Sequence, residues 1–326
     1  MSEARRSEAQ VLVADIGGTN ARFALAGLDT LTLSEIRQVR CGEHPSLEAA
    51  LGDYIGTLKA RPDRAAIAVA GPVSGAEVSL TNSTWSVATH DLCARFGLKD
   101  VQLINDFAAL ALSLPYLSGA DLHRIGGAAP VEHSAKLVLG PGTGLGVAAL
   151  AWSGARWVAL PGEGGHMSLG AADERQLALL ERLRKGRAHL SAERALSGLG
   201  LAELYQAVAA SHGLSSEALQ PNDVIVRGLG SEDEIAVEAL ELFIEWLGRF
   251  AGDAALLVGA RGGVYLGGGI APKLVDKLSS GPFRRAFEDK GRMAAYLAPI
   301  PVYVILAEFA TLTGAAAASR AASAKA

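Results

Sequence analysis

"VLVADIGGTNARFAL", Val11 to Leu25, places one acid, Asp15, between an apolar run and a glycine pair, after which the chain turns apolar again at once. Val11 to Ala14 is a run of strand formers and Ala21 to Leu25 reads as a second strand. Gly17 and Gly18 therefore fall where a tight hairpin needs backbone without side chains. An ordinary hairpin satisfies that much. The acid at the strand end, with Thr19 and Asn20 behind it, adds a set able to meet phosphate oxygens and a metal together.

The pattern occurs again. "LVADIGGT" (Leu12 to Thr19) and "KLVLGPGT" (Lys136 to Thr143) superpose at an offset of 124 residues, matching Gly18 with Gly142 and Thr19 with Thr143. Each is followed by a short apolar run. Two domains that each open with strand, glycine turn and strand can face one another across a cleft and hold a nucleotide's phosphates from both sides. The second copy, "GPGTGLGV" (Gly140 to Val147), lacks the glycine spacing of the dinucleotide fingerprint, and no GxxxxGK[ST] occurs in the chain. What remains is a nest of main-chain N–H groups and threonine hydroxyls, which only glycine lets a phosphate approach closely.

At 326 residues the chain exceeds a usual single core and suggests two domains. Half of it is hydrophobic and the net charge is −4, which fits a globular protein and gives no basic footprint for nucleic acid. The charged start, MSEARRSEAQ, and the interruption at Asp15 fit neither a signal peptide nor a membrane anchor, and Glu308 breaks the apolar stretch from Pro301. The expected compartment is the cytoplasm. Two distant cysteines, Cys41 and Cys93, support neither a disulfide framework nor a zinc site.

Strand-like runs (Ala65 to Ala70, Val101 to Ile104) alternate with helical patterns (Ser46 to Lys59, His90 to Phe96), which predicts an α/β domain closing near Leu114-Pro115. A second series starts at Lys136, includes a long amphipathic pattern over Glu234 to Leu257, and returns through Val302 to Leu306 to an Ala-rich tail.

Candidate chemistry sits at the ends of these runs. "QLINDFAALALSL" (Gln102 to Leu114) sends a strand into Asn105-Asp106 and starts a helix at Phe107. Asp106 suits two roles: helix N-cap, or general base for an attacking hydroxyl, with Asn105 beside it to hydrogen-bond a polyol. "LPGEGGHMSLG" (Leu160 to Gly170) spaces Glu163 and His166 three apart, but Gly162, Gly164 and Gly165 disfavour a helix and with it a metal pair. In a loop the carboxylate and imidazole become partners for sugar hydroxyls. "SAERALSGLG" (Ser191 to Gly200) supplies Glu193, with Ser191 as a helix cap. In "GGVYLGGGIAPKL" (Gly262 to Leu274) a strand ends in Gly267, Gly268 and Gly269, where an adenine or ribose can lie against backbone.

Taken together, DIGGTNARFAL (Asp15 to Leu25), TNSTW (Thr81 to Trp85), INDFAA (Ile104 to Ala109), GTGLG (Gly142 to Gly146), LPGEGGH (Leu160 to His166), SAERALSG (Ser191 to Gly198) and FEDKGR (Phe287 to Arg292) resemble the bacterial ATP-dependent glucokinases. The resemblance implies the two-domain α/β fold of the hexokinase and actin-like ATPases (ribonuclease H-like), with an inter-domain active-site cleft. Residues 1–115 with 307–326 would form a smaller domain and 116–306 a larger one. It further implies Asp106 as the base that takes the proton of the glucose 6-hydroxyl, and Asn105, Glu163, His166 and Glu193 as glucose ligands. Asp15, Gly17, Gly18, Thr19 and Asn20, with Gly142 and Thr143, would meet the ATP phosphates, Asp15 orienting Mg²⁺ and its waters. Gly267 to Gly269 would lie at the adenosine. A homodimer is common in the family, and neither nucleic acid nor membrane is an expected partner. One departure is the stretch near the end, "AEFATLTG" (Ala307 to Gly314), which keeps only Leu312 and Gly314 of an Asn-Pro-Gly-Leu-x-Gly pattern. The cysteine-rich zinc motif of the sister group, the repressor and open-reading-frame sugar kinases, is absent. Rival readings are a kinase for another hexose or an N-acetylated amino sugar, a sugar-sensing regulator and a structural actin-like subunit. The first lacks the zinc cysteines, the second a helix-turn-helix before Val11, and the third a use for Glu163 and His166.

Overall fold

The computed structural model describes residues 9–73, 75–79 and 85–323. The chain forms two compact units. The first comprises the described residues up to Leu117, Trp157–Pro161 and those from Ala307 onward; the second comprises Ser118–Arg156 and Gly162–Leu306. Of the TNSTW motif only Trp85 is described, buried with its indole N–H donating to the His44 carbonyl at 3.3 Å; Thr81 to Thr84 lie outside the described residues.

In the first unit the quoted stretch is a hairpin of β1 (Gln10–Ile16) and β2 (Asn20–Gly27), and β3 (Leu33–Arg40) pairs with β2. On the other side of β1 run β4 (Arg64–Val69) and β7 (Asp100–Asn105), both parallel to it, giving the order β3-β2-β1-β4-β7. A short antiparallel pair, β5 (Glu77–Ser79) and β6 (Ser86–Ala88), lies between β4 and β7 in the chain.

Strand β1 is buried on both faces, and its period of two divides the work. Leu12, Ala14 and Ile16 join Phe23, Ile67 and Val69 under the helix Leu47–Thr57, whose Leu47, Leu51 and Tyr54 are fully packed. Val11 and Val13 join Ala24, Ala26 and Ala66 under the C-terminal helix Ala310–Ser323, through Leu312, Ala315 and Ala316. The Ala-rich tail is thus a core helix, and small side chains on both partners let it lie close to the sheet. Fully burying one such Leu or Phe contributes about 1.5–3 kcal/mol.

The second unit repeats the arrangement. Strands β9 (Lys136–Pro141) and β10 (Leu145–Trp152) form an antiparallel hairpin, and β12 (Val264–Leu266) runs parallel to β9 on its other side. Then follow β13 (Val302–Ile305) and β8 (Leu122–Arg124); β11 (Trp157–Gly162), of which Trp157–Pro161 count with the first unit, leads into the Glu163 segment. The sequence repeat therefore marks a repeated topology, a central strand flanked by its hairpin partner and a parallel strand. The 25-residue helix Glu234–Val258 supplies the core with Phe243, Trp246 and Phe250. The FEDKGR motif anchors this helix: Phe287 is buried against the same core, and Lys290 pairs with Asp253 at 2.7 Å. No helix among the described residues is long and apolar enough to cross a membrane.

Candidate active site

In the first unit, the candidate residues gather where the parallel strands β1, β4 and β7 end, the edge at which open α/β sheets bind ligands. The register sets Ile16 opposite Val69, and Val69 opposite Asn105. Asp15 lies opposite Arg22 across the hairpin, and Arg22 Nη1 donates to Asp15 Oδ2 at 3.0 Å. The Asp15 side chain is 15% exposed. Burial pushes its carboxyl above the ordinary range, and Arg22 only partly offsets this.

The hairpin tip is braced from outside. The Cys41 backbone N–H donates to Thr19 O at 2.9 Å, and the buried Cys41 thiol to Gly17 O at 3.4 Å. Gly17 itself is not required by space or backbone: a Cβ there would meet only Asn20 O at 3.4 Å, and its φ lies outside the left-handed region. The expectation that this turn excludes a side chain is corrected for Gly17.

Asn105 and Asp106 also depart from the sequence reading. Asn105, not Asp106, caps the helix Asp106–Ser113: its Oδ1 accepts from the Ala108 N–H at 2.9 Å. Its Nδ2 donates to Gly71 O and to Asp106 Oδ1, each at 3.1 Å, so both amide hydrogens are engaged. Asp106 Oδ1 also accepts from the Phe107 N–H at 2.8 Å. Asp106 is thereby fixed at the first helical residue. Ala70 N–H donates to Ile16 O at 3.2 Å, so the turn after β4 links the end of β1 to Asn105.

In the second unit four of the motifs converge on the β9–β10 hairpin. Glu193 Oε2 accepts from the Leu145 N–H at 3.0 Å, and a Cβ on Gly144 would lie 2.4 Å from that oxygen. Gly165 packs so closely on β10 that a Cβ would be 2.0 Å from Leu145 O. Gly198 N–H donates to Gly142 O at 2.8 Å. Gly140 and Gly267 touch backbone to backbone, a Cβ on Gly140 meeting Gly267 C and O at 2.4 Å. Gly268, at φ +75°, packs on Pro141 O.

The Glu163 segment does form a helical turn, against expectation. It is a single 3₁₀ turn, Gly164–His166, closed by His166 N–H to Glu163 O at 3.0 Å, with both side-chain residues exposed. Three glycines disfavour an α-helix, but one turn pressed onto β10 needs no propagation, and residues three apart eclipse in it. The His189 Nε2–H donates to His166 O at 2.9 Å. Ser191 precedes a 3₁₀ turn, Ala192–Arg194, without a side-chain cap bond, so its predicted capping role is not realised.

Among the described residues no three acids, histidines or cysteines gather to cage a metal. The carboxylate of Asp15, with the hydroxyl of Thr19 and the amide of Asn20 in the turn that follows, is by donor chemistry a set of the oxygen type that magnesium accepts when waters and phosphates complete it.

The glucokinase family model matches residues 12–322. The chain belongs to the glucokinase family. It is 46% identical over 307 residues to a curated glucokinase of Nitrobacter hamburgensis, covering 94% of this chain and 95% of that one. It also superposes on the crystal structure of a glucokinase from an Antarctic psychrotroph with a TM-score of 0.85 at 37% identity, covering 95% of this chain and 98% of the other. A ROK family glucokinase from Streptomyces griseus, solved with glucose and AMPPNP, shares the fold at a TM-score of 0.65 and 19% identity, over 94% and 98% of the two chains. The fold is thus that of the actin-like sugar kinases. Within the family motifs, sequence reasoning passed over Arg22 and Gly144, and outside them over Cys41 and Gly71. Arg22 was legible once the hairpin register was drawn, since it stands opposite Asp15. Cys41 and Gly71 carry no local signal.

Proposed function

We propose that this chain transfers the γ-phosphoryl group of ATP to the 6-hydroxyl of D-glucose, releasing glucose 6-phosphate and ADP, as a cytoplasmic enzyme at the start of glycolysis. The observation that carries the reading is the bond between Glu193 and the Leu145 N–H, which ties a sugar-type acid to the glycine hairpin beside Gly142 and Thr143. Glucose ligands and phosphate donors are then parts of one rigid arrangement in the second unit. Bacterial relatives bear the name glucokinase, and the Streptomyces griseus enzyme was solved with glucose and an ATP analogue.

Phosphoryl transfer passes through a loose transition state, so positioning and charge neutralisation do most of the work. Asp106 accepts the 6-hydroxyl proton, a role that contributes on the order of 10²–10⁴-fold. Asn105 keeps one Oδ1 lone pair for a sugar hydroxyl after its cap bond and orients Asp106 through Nδ2. Glu163, His166 and Glu193 hold the remaining hydroxyls. Gly18, Thr19 and Asn20 offer main-chain and side-chain donors to phosphate, as does Thr143; the Gly17 and Gly142 N–H groups donate to Asn20 O at 3.0 Å and Gly144 O at 2.8 Å and shape the two turns instead. Gly268 and Gly269 are exposed and present backbone to the adenosine, with the buried Gly267 behind them. Asp15, with Thr19 and Asn20, would hold magnesium through its waters, and magnesium supplies neutralisation of phosphate charge. The family resemblance also supports a homodimer, which sedimentation velocity tests.

Carboxylates bonded to several hydroxyls reject an analogue lacking one by about 10⁴-fold, while epimers lose less. ADP release measured with glucose, mannose, fructose, N-acetylglucosamine and N-acetylmannosamine is expected to give its highest kcat/KM with glucose. Preference for an N-acetylated sugar would refute the substrate, and no ADP release with any sugar would refute the kinase.

A further inference from the structure

The C-terminal helix Ala310–Ser323 packs on the helix Asp106–Ser113, with Gly314 set against the backbone of the second helix. A Cβ there would stand 1.7 Å from Ala109 O, 2.5 Å from its carbonyl carbon and 3.1 Å from Ser113 N. These are backbone atoms of a short helix, so no side-chain rotation relieves the contact. Position 314 admits glycine or else the helix carrying Asp106 moves.

The crossing bears on chemistry because of where it lies. Ala109 is three residues from Asp106, less than one helical turn. At the start of this helix Asn105 donates from Nδ2 to Gly71 O, which ties it to the turn after β4. The C-terminal helix is in turn seated on β1 by Leu312, Ala315 and Ala316, against Val11 and Val13. One helix thus references the Asp106 helix to the strand that carries Asp15.

We propose that Gly314 is a positioning residue for Asp106, fixing the depth at which the base stands by admitting the Ala109 carbonyl into the helix crossing. The proposal rests on the reading of Asp106 as the base. It assigns Gly314 no contact with substrate.

Gly314→Ala adds one methyl and raises helix propensity, so the change opposes the crossing and not the helix. A misplacement of about 1 Å can cost on the order of 10²-fold in rate. Expected for Gly314→Ala is a kcat lower by about ten- to a hundredfold, with KM for glucose and for ATP within about threefold of the parent. Leu112→Ala loosens the same crossing from the Asp106 helix, whose Leu112 packs on that core, and is expected to lower kcat without overpacking. Leu33→Ala removes bulk from the same core on β3, away from the crossing, and serves as the stability control: its Tm falls while kcat stays. Parental kcat in a folded Gly314→Ala protein, or an equal kcat loss in Leu33→Ala, overturns the proposal. Asp106→Asn measured alongside separates the two levels. If it retains turnover, the base assignment fails; if it is inactive while Gly314→Ala is fully active, only the role of Gly314 fails.

Discussion

The hairpin β1–β2 of the first unit and the hairpin β9–β10 of the second share a sequence pattern and a place in their sheets, yet their glycines do different work. In the first, Gly17 has room for a side chain, and the tip is held by hydrogen bonds from Cys41 to Thr19 and Gly17. In the second, Gly140 is pressed against the backbone of Gly267 and Gly268, and Gly144 makes way for the Glu193 carboxylate. One turn is open and braced from outside; the other is a packing hub in which Gly140 meets facing backbone and Gly144 a carboxylate. A glycine motif read from sequence does not say which of these it is, because the distinction lies in what approaches from elsewhere in the chain.

Substitutions can break that contrast. The largest effect is expected for Gly140→Ala, where the new Cβ meets backbone and nothing flexible: KM for ATP rises by about tenfold or more, and stability falls by about 1–3 kcal/mol in a urea titration. Next comes Gly144→Ala, whose Cβ displaces only the end of the Glu193 side chain. The fold should hold while KM for glucose rises about tenfold, the scale of a lost hydrogen bond to a charged group. An unchanged glucose KM would remove Glu193 from the sugar site.

Asp15→Asn probes the open hairpin. Burial raises the folded-state pKa of Asp15, so the ionised form costs stability. That cost is absent below the unfolded value of about 4 and grows as pH rises through the higher folded value. Asp15→Asn should therefore raise Tm by about 1–3 °C at pH 8 and leave it unchanged at pH 3.5 by calorimetry, while activity at limiting magnesium falls. A lower Tm at pH 8 would mean that the Arg22 pair outweighs burial. The smallest effect belongs to Gly17→Ala, within about 0.5 kcal/mol of the parent and with KM for ATP within about twofold. Equal losses in Gly17→Ala and Gly140→Ala would end the distinction between the two turns.

Much of this was written locally. The strands flanking Gly17, the Asp106 helix and the long helix from Glu234 follow from apolar periodicity, and the offset between Leu12 and Lys136 foretold a repeated topology. What local reading missed was set by partners distant in sequence. Asn105 takes the cap because Gly71 and Ala108 bracket its amide, which leaves Asp106 inside the helix. The Gly164–His166 turn exists because Leu145 and Val147 of β10 press on its glycines. Leu312 and Gly314, the two residues retained in the divergent stretch near the end, proved to be a core side chain and a helix crossing, neither visible in an Ala-rich run.

The central claim is that Asp106 is the base of a glucose kinase, and its most direct test pairs turnover with binding. Glucose-dependent ADP release by the parent and by Asp106→Asn would be measured next to glucose affinity by calorimetry. The account predicts turnover lower by on the order of 10²–10⁴-fold in the variant, with glucose affinity retained. Near-parental turnover in Asp106→Asn would contradict it.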